Sequence, residues 1–219
     1  MLWAILSPVA AVGLTCGFLV GLGLRIVAQR LSGRLLGVRA DRHLALPDPR
    51  TDIDPIGALS VLLVGTGWGR GAGGTPVPVG RGRVALAVLT GPVAAIVAAQ
   101  VALAAFVAAC PGDRTALLLN RPSDLLHGAV ARTAVAQLIL SVAVALLCFG
   151  LLALLPLPPL DGYRLARMLF TDTGAPVGRG ADVAGSAVLL VLAAIPVGGV
   201  SPLLMVLDTV GTPLLRIWT

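Results

Sequence analysis

Long apolar runs separated by short polar stretches dominate this chain, and they predict its helices. Four of the runs are candidates for membrane spans, at residues 2–27, 84–109, 133–155 and 183–197. A transmembrane helix needs about 20 predominantly apolar residues to cross about 30 Å of hydrocarbon. We therefore expect one membrane domain, residues 1–219, of all-α class with about four spans, the last of them short.

Two further apolar runs are too short for an ordinary crossing. The run at 56–68 would reach only roughly 20 Å as a helix, which predicts a re-entrant segment. The run at 203–218 predicts a last helix that is re-entrant or interfacial. Polar and proline-containing stretches around 43–46 and 75–79 predict a small extended hairpin region beside these segments.

The composition agrees with a protein embedded in lipid, so the lipid bilayer is its expected surrounding. Hydrophobic residues make up 57% of the chain and charged residues only 12%, which is typical of integral membrane proteins. The net charge of +6 comes from arginines that flank the apolar runs. No basic patch is interleaved with aromatic residues, so the sequence argues against nucleic-acid binding.

The distribution of arginines predicts the orientation in the membrane. Nine lie between Arg25 and Arg83, three between Arg164 and Arg179, and three between Arg114 and Arg132. If the run at 56–68 does not cross, the first two groups share one side. Arginine-rich loops stay in the cytoplasm. We therefore expect a multi-pass plasma-membrane protein with its N-terminus outside and its arginine-rich loops inside.

Glycines recur at every fourth position in the first span, at Gly13, Gly17 and Gly21. Small residues at this spacing lie on one face of a helix and let a neighbouring helix approach closely. The pattern predicts a helix-packing face in this span.

A proline-rich motif ends the third span and is the strongest candidate for a functional site. Three prolines lack a backbone N–H and disfavour helix, so the span should break there. The first charge after the break is Asp161, and a carboxylate at the edge of the hydrocarbon marks a functional-site hypothesis. The motif consists of Pro156, Pro158, Pro159, Leu160, Asp161 and Gly162.

This motif resembles the third-ligand motif of the site-2 proteases, intramembrane zinc metalloproteases of the M50 type. Three other stretches occur in the order used by that family: Asp54–Gly57, Pro76–Val79 and the helix-kink signal Gly91-Pro92. The resemblance covers about residues 10 to 215 and implies a site-2-protease-like core. It also implies that Asp161 occupies the position of a zinc-binding aspartate.

The rest of the zinc site is missing from the sequence. In the family, an HExxH motif in the first span supplies two histidine ligands and a glutamate base. Aligned on Arg30-Leu31, that position reads Val20-Gly21-Leu22-Gly23-Leu24, and the two expected asparagines become Ala153 and a residue near Ala95. The chain contains no glutamate and only two histidines.

A single carboxylate does not hold a catalytic zinc, which takes about three protein ligands. We therefore expect no bound zinc, no catalytic residues and no enzymatic activity: Asp161 is a vestigial ligand position in a pseudoprotease. The expected function is binding of a transmembrane segment of a partner protein. Two alternatives remain open. One is an active metalloprotease that uses His43, His127 and Asp161, and the other is a membrane scaffold or transport protein with a discontinuous helix.

Without a metal, the charge of Asp161 requires another partner, because an isolated ionised carboxylate in an apolar site is costly. Two arginines are candidates. Arg164 follows by three residues, and Arg25 lies next to the expected ligand face of the first span. We expect one of them to pair with Asp161, with Arg25 favoured.

Overall fold

A computed structural model describes residues 7–38, 52–69, 80–128, 130–170, 179–196 and 200–219. The expected extended pieces at 43–46 and 75–79, and residues 2–6 of the first span, lie outside these ranges. The described ranges form no β-strand, and Ile53 and Gly69 form an isolated bridge. The helices are α1 (Pro8–Leu35), α2 (Pro55–Val64), α3 (Arg81–Ala109), α4 (Thr115–Leu119), α5 (Pro122–His127), α6 (Ala134–Ala153), α7 (Asp161–Phe170), α8 (Arg179–Ala194) and α9 (Pro202–Arg216).

Three of these helices, α1, α3 and α6, are long and apolar enough to cross a membrane. The expected fourth span is the 16-residue α8, which at roughly 24 Å is short for a full crossing. The polar stretch between α3 and α6 is more ordered than a loop, since it contains a 3₁₀ turn, α4 and α5. The structure is therefore an all-α membrane protein with three long helices and several short ones.

Helix α1 extends eight residues past its predicted end at residue 27, to Leu35. It stops where Gly37 adopts a left-handed conformation with φ of 67°. The N–H groups of Gly37 and Val38 then donate to the carbonyls of Arg34 and Gly33. This is the Schellman arrangement, in which a glycine without a Cβ lets the chain close the last helical turn.

Helix α6 lies at the centre of the bundle, and α1 packs parallel to it through the glycine face. A Cβ on Gly13 or Gly17 would lie 2.6 Å from the Cβ of Ser141 or Ala145, and a Cβ on Gly21 would lie 3.0 Å from the ring of Phe149. The two backbones approach closely because these glycines have no side chain.

Helix α3 runs antiparallel to α1 and α6. Near the C-terminal end of α1, the hydroxyl of Ser32 lies 3.2 Å from the carbonyl oxygen of Ala87 and 2.8 Å from the hydroxyl oxygen of Thr90. Near the C-terminal end of α6, a Cβ on Gly150 would lie 3.0 Å from the carbonyl oxygen of Pro92. The three long helices thus bring the end of α1, the start of α3 and the end of α6 to the same side of the bundle.

Helix α2 and residues 65–69 form a hairpin that enters the bundle and returns. Its two ends meet at the bridge between Ile53 and Gly69, next to Arg25. Its tip is Gly65, where an added Cβ would lie 3.3 Å from the side chain of Leu14. Leu14 precedes Arg25 by eleven residues of α1, or roughly 16 Å. The segment expected to be re-entrant is thus a hairpin, and we call residues 52–69 the re-entrant hairpin.

The two arms of the re-entrant hairpin touch backbone to backbone. A Cβ on Gly57 would overlap the carbonyl oxygen of Trp68, and one on Gly67 would overlap that of Gly57. No larger residue fits at either position without moving an arm of the hairpin. Helix α8 packs along α2 and runs in the same direction, from Ser186 beside Asp54 to Ala193 beside Val64.

Candidate functional site: a buried arginine–aspartate–glutamine cluster

Asp161 is the first residue of α7. It follows the prolines of the motif and lies against α1. Helix α6 ends at Ala153, before the prolines, as the missing N–H groups predict. Gly162 then lies against the end of α6, where an added Cβ would overlap the carbonyl oxygen of Leu154. This contact turns α7 back toward the bundle, and Asp161 becomes completely buried.

Arg25 binds the carboxylate of Asp161 through two parallel hydrogen bonds. Its Nε atom donates to Oδ2 at 2.6 Å and its Nη2 atom donates to Oδ1 at 2.7 Å. The side chains are only 2% and 1% exposed. Charge-assisted, bidentate pairs of this kind are the strongest hydrogen-bonded contacts between side chains. Of the two arginines that the sequence offered as partners, the structure brings Arg25 to Asp161; Arg164 is half-buried on α7.

Gln29 completes the cluster from the next turn of α1. Its Nε2 atom donates to Oδ2 of Asp161 at 2.8 Å. Arg25 and Gln29 are four residues apart and therefore lie on the same face of the helix. Asp161 thus receives three hydrogen bonds from one face of α1, and both of its oxygens accept.

The Gly91-Pro92 pair of α3 forms the opposite wall of the cluster. An added Cβ on Gly91 would lie 2.7 Å from Nε2 of Gln29 and 2.8 Å from Cγ of Arg25, so only glycine leaves room for both side chains. Pro92 has no N–H to donate to the carbonyl of Val88. That carbonyl instead accepts a hydrogen bond of 3.0 Å from Gln29. Helix α3 is continuous from Arg81 to Ala109, so the helix does not end at the expected kink.

Arg25 also ties the re-entrant hairpin to the cluster. Its Nη1 atom donates to the carbonyl oxygen of Gly69 at 3.0 Å. Further along α1, Arg30 pairs with Asp52 at 3.1 Å, at the other end of the hairpin. Both ends of the hairpin are therefore held by arginines of α1.

The residues at 20–24, which the resemblance aligns with the HExxH motif, are not the ones that bind Asp161. Val20 lies on the outer surface of α1 with 48% of its area exposed. The residues that face Asp161 at helical spacing are Arg25 and Gln29. Gln29 was not among the site residues expected from the sequence. The overlooked signal was a second polar residue four positions after Arg25, at the end of an apolar run.

A second buried carboxylate holds the re-entrant hairpin to α8. Asp54 caps α2 by accepting from the N–H of Ile56 at 3.2 Å. Its other oxygen accepts from Nε1 of Trp68 at 2.8 Å and from the hydroxyl of Ser186 at 2.7 Å. Sequence reasoning did not find this contact, because nothing in the order of residues links positions 54 and 186.

His127 does not join Asp161. His127 ends α5 and lies near Leu63 and Val64, close to the tip of the re-entrant hairpin. Asp161 lies at the hairpin's other end. His43, the other histidine of that alternative, falls outside the described residues.

The side chains around Asp161 do not suit a zinc ion. Within the described ranges, no three His, Cys, Asp or Glu side chains lie close enough to hold a metal ion. The guanidinium of Arg25 stays positively charged and has no lone pair to offer a metal. The cluster can neutralise a charge and join three segments of the chain, and both oxygens of its carboxylate are already hydrogen-bonded.

Comparisons of the chain with protein-family models, with curated protein sequences and with solved structures found no match. A functional assignment therefore depends on the residues and their geometry.

Proposed function

We propose that this chain is a non-catalytic membrane protein with a site-2-protease-like core, in which the cluster of Arg25, Gln29 and Asp161 stands where the protease holds zinc. The observation that carries the proposal is the spacing: Arg25 and Gln29 are four residues apart on α1 and both bind the aspartate of the LDG motif. In the family that this chain resembles, the two histidines of HExxH have the same spacing. Ile26 then occupies the position of the glutamate base.

The charge of the cluster supports a structural role. A zinc ion would neutralise Asp161 and join it to α1, and the guanidinium of Arg25 does both without a metal. Because the guanidinium group of arginine is protonated at all ordinary pH values, it can neutralise the carboxylate over that whole range. Ile26 cannot accept a proton, and general acid–base catalysis contributes roughly 10²–10⁴-fold in enzymes that use it.

We further propose that the protein binds a transmembrane segment of a partner protein, since binding is what a protease fold retains when its chemistry is lost. The plasma membrane is the proposed location, with the arginine-rich loops in the cytoplasm. Leu62 of α2 is a suitable reporter for a partner, because its side chain is 59% exposed on the re-entrant hairpin.

The zinc part of the proposal is tested by rebuilding the ligand set. The double variant Arg25→His, Gln29→His would place two imidazoles at the two positions that now bind Asp161. We expect the wild-type protein to purify without stoichiometric zinc and the double variant to bind about one zinc per molecule, since three ligands are enough. Zinc content is measured by atomic emission on protein purified from membranes.

The matched control is the double variant Val20→His, Leu24→His, which places two histidines at the same spacing five residues earlier on α1. It should bind no zinc. Equal zinc in both double variants, or stoichiometric zinc in the wild type that is lost with Asp161→Asn, would overturn the proposed arrangement.

Binding of a partner is tested by photocrosslinking in cells. A photoreactive amino acid at Leu62 is expected to crosslink to the transmembrane segment of another protein, identified by mass spectrometry of the crosslinked peptide. The control is Val101 on α3, which is 64% exposed and is not part of the hairpin. Crosslinks to lipid alone at both positions, or the same proteins at both, would contradict the proposal.

A further inference from the structure

A cavity of about 470 Å³ lies at the tip of the re-entrant hairpin. Its walls come from the end of α2, from α5, from the end of α8 and from the start of α9. The tip lies beside Leu14 and is separated from Arg25 by roughly 16 Å along α1. The cavity is therefore distinct from the cluster around Asp161, and its size is within the range of small-molecule sites.

The walls combine apolar and polar surface in similar amounts. The apolar contributions include Leu63, Val64, Ala193 and Leu204. Among the polar side chains, that of Ser201 accepts a hydrogen bond from the N–H of Leu204 and caps α9. An apolar ligand surface would be removed from water here, and its polar end would have to meet the remaining polar groups on α5.

Ser123 on α5 is committed to contacts within the protein. Its hydroxyl donates to Oδ2 of Asp208 at 2.6 Å, and its N–H donates to Oδ1 at 2.8 Å. Its carbonyl oxygen lies 2.6 Å from Nδ1 of His127. The groups on α5 that remain for a ligand are the outer nitrogen of His127 and the carboxylate of Asp124.

Both of these groups are hydrogen-bond acceptors. A carbonyl oxygen can only accept, so the Nδ1 atom of His127 must carry the ring proton toward Ser123. In the neutral ring, Nε2 is then unprotonated and accepts. Asp124 uses Oδ2 to accept from the backbone N–H of Arg121 at 2.9 Å, and its Oδ1 can accept from a ligand. His127 and Asp124 are three residues apart on one face of α5.

A second negative charge lies behind this face, because the buried carboxylate of Asp208 is held by Ser123. Two exposed acceptors, one of them charged, at the edge of a partly apolar cavity favour a ligand that donates hydrogen bonds and carries positive charge. From this geometry we infer that the cavity binds an amphiphilic primary amine, with its apolar body between α2, α8 and α9 and its ammonium group at Asp124 and His127. The inference does not depend on the proposed function.

The test uses octylammonium as the probe, with the protein in phosphatidylcholine nanodiscs, whose lipids have no primary ammonium. The chain has only two histidines, so protein labelled with ¹³C-histidine gives two ring signals, and a His43→Gln variant assigns the signal of His127. We expect octylammonium to shift the His127 signal in a saturable way. Octanol and octanoate, which share the chain but not the ammonium, should bind about tenfold more weakly or worse.

Asp124→Asn is expected to weaken octylammonium binding about tenfold, because a neutral amide replaces the charged acceptor. The matched control is Asp182→Asn, at the opposite end of α8, which should leave the affinity unchanged. The inference is overturned if octanol or octanoate binds as well as octylammonium, if both asparagine variants behave alike, or if no saturable shift occurs. A saturable shift of His127 with Zn²⁺ but not with octylammonium would make the cavity a metal site instead.

Discussion

At the scale of single residues, Arg25 joins three parts of the chain: α1, α7 and the re-entrant hairpin. It binds Asp161 through two hydrogen bonds and the carbonyl of Gly69 through a third. A buried ion pair does not necessarily stabilise a protein more than apolar residues would, but removing one partner leaves an uncompensated charge. The coupling between Arg25 and Asp161 is therefore best measured by comparing the free energies of unfolding of the two single variants and the double variant.

Asp161→Asn and Arg25→Gln are each expected to lower the free energy of unfolding by about 3–5 kcal/mol, as for other broken buried pairs. The double variant should lose much less than the sum, because the two charges disappear together. The measurement is reversible unfolding of the detergent-solubilised protein. Arg164→Gln serves as the control and should cost little. Strictly additive losses would mean that the pair does not couple the two positions.

The sequence carried enough information to suggest Asp161 and Arg25 as partners, because a carboxylate after a helix break needs a nearby cation. It did not lead to Gln29, whose contact depends on how α1 is rotated about its axis relative to α7. It also did not lead to the contacts of Asp54 with Trp68 and Ser186, which depend on the tertiary path of the hairpin.

At the scale of elements, the glycines of α1 determine how the three long helices assemble. Gly13, Gly17 and Gly21 face α6, whereas a Cβ added to Gly23 would meet no other element of the described ranges within 4 Å. Apolar periodicity and length were sufficient to locate the long helices. Their ends were less predictable, because α1 continues through polar residues past its apolar run and stops only at the glycine cap formed by Gly37.

Gly17→Ala is expected to destabilise the protein by about 1–3 kcal/mol, because the new methyl group would lie 2.6 Å from the Cβ of Ala145 and overpack the contact. Gly23→Ala, on the same helix, should be neutral or slightly stabilising, since alanine favours helix over glycine. Thermal unfolding in detergent compares the two variants. Equal effects at both positions would show that glycine flexibility, rather than close packing, is what matters in α1.

At the scale of the whole molecule, the re-entrant hairpin determines which helix ends share a side of the bundle. The end of α1 and the start of α3 lie on the same side of the bundle, because the re-entrant hairpin returns to its starting point. Helix lengths and apolar composition could be read from the sequence, but the path of the hairpin required the contacts of Gly57, Gly65 and Gly69.

Single cysteines placed at Arg34, Arg81 and Arg121, in a background without the native cysteines, should report this arrangement. We expect positions 34 and 81 to react with membrane-impermeant maleimide from the cytoplasmic side, because they belong to the arginine-rich group. Position 121 should react from the outside. If positions 34 and 81 reacted from opposite sides of the membrane, residues 52–69 would have to cross it completely, which would contradict the hairpin geometry.

Pro92 has a consequence for how the sequence of this protein can vary. Helix α3 leaves the carbonyl of Val88 without its usual helical donor, and a side chain of α1 supplies the missing hydrogen. The donor at residue 29 thus accommodates a proline at 92 in lipid, and a chain without that proline would supply the same carbonyl with its own helical N–H. Selection should therefore treat positions 29 and 92 as one unit: among homologous chains they should change together or not at all.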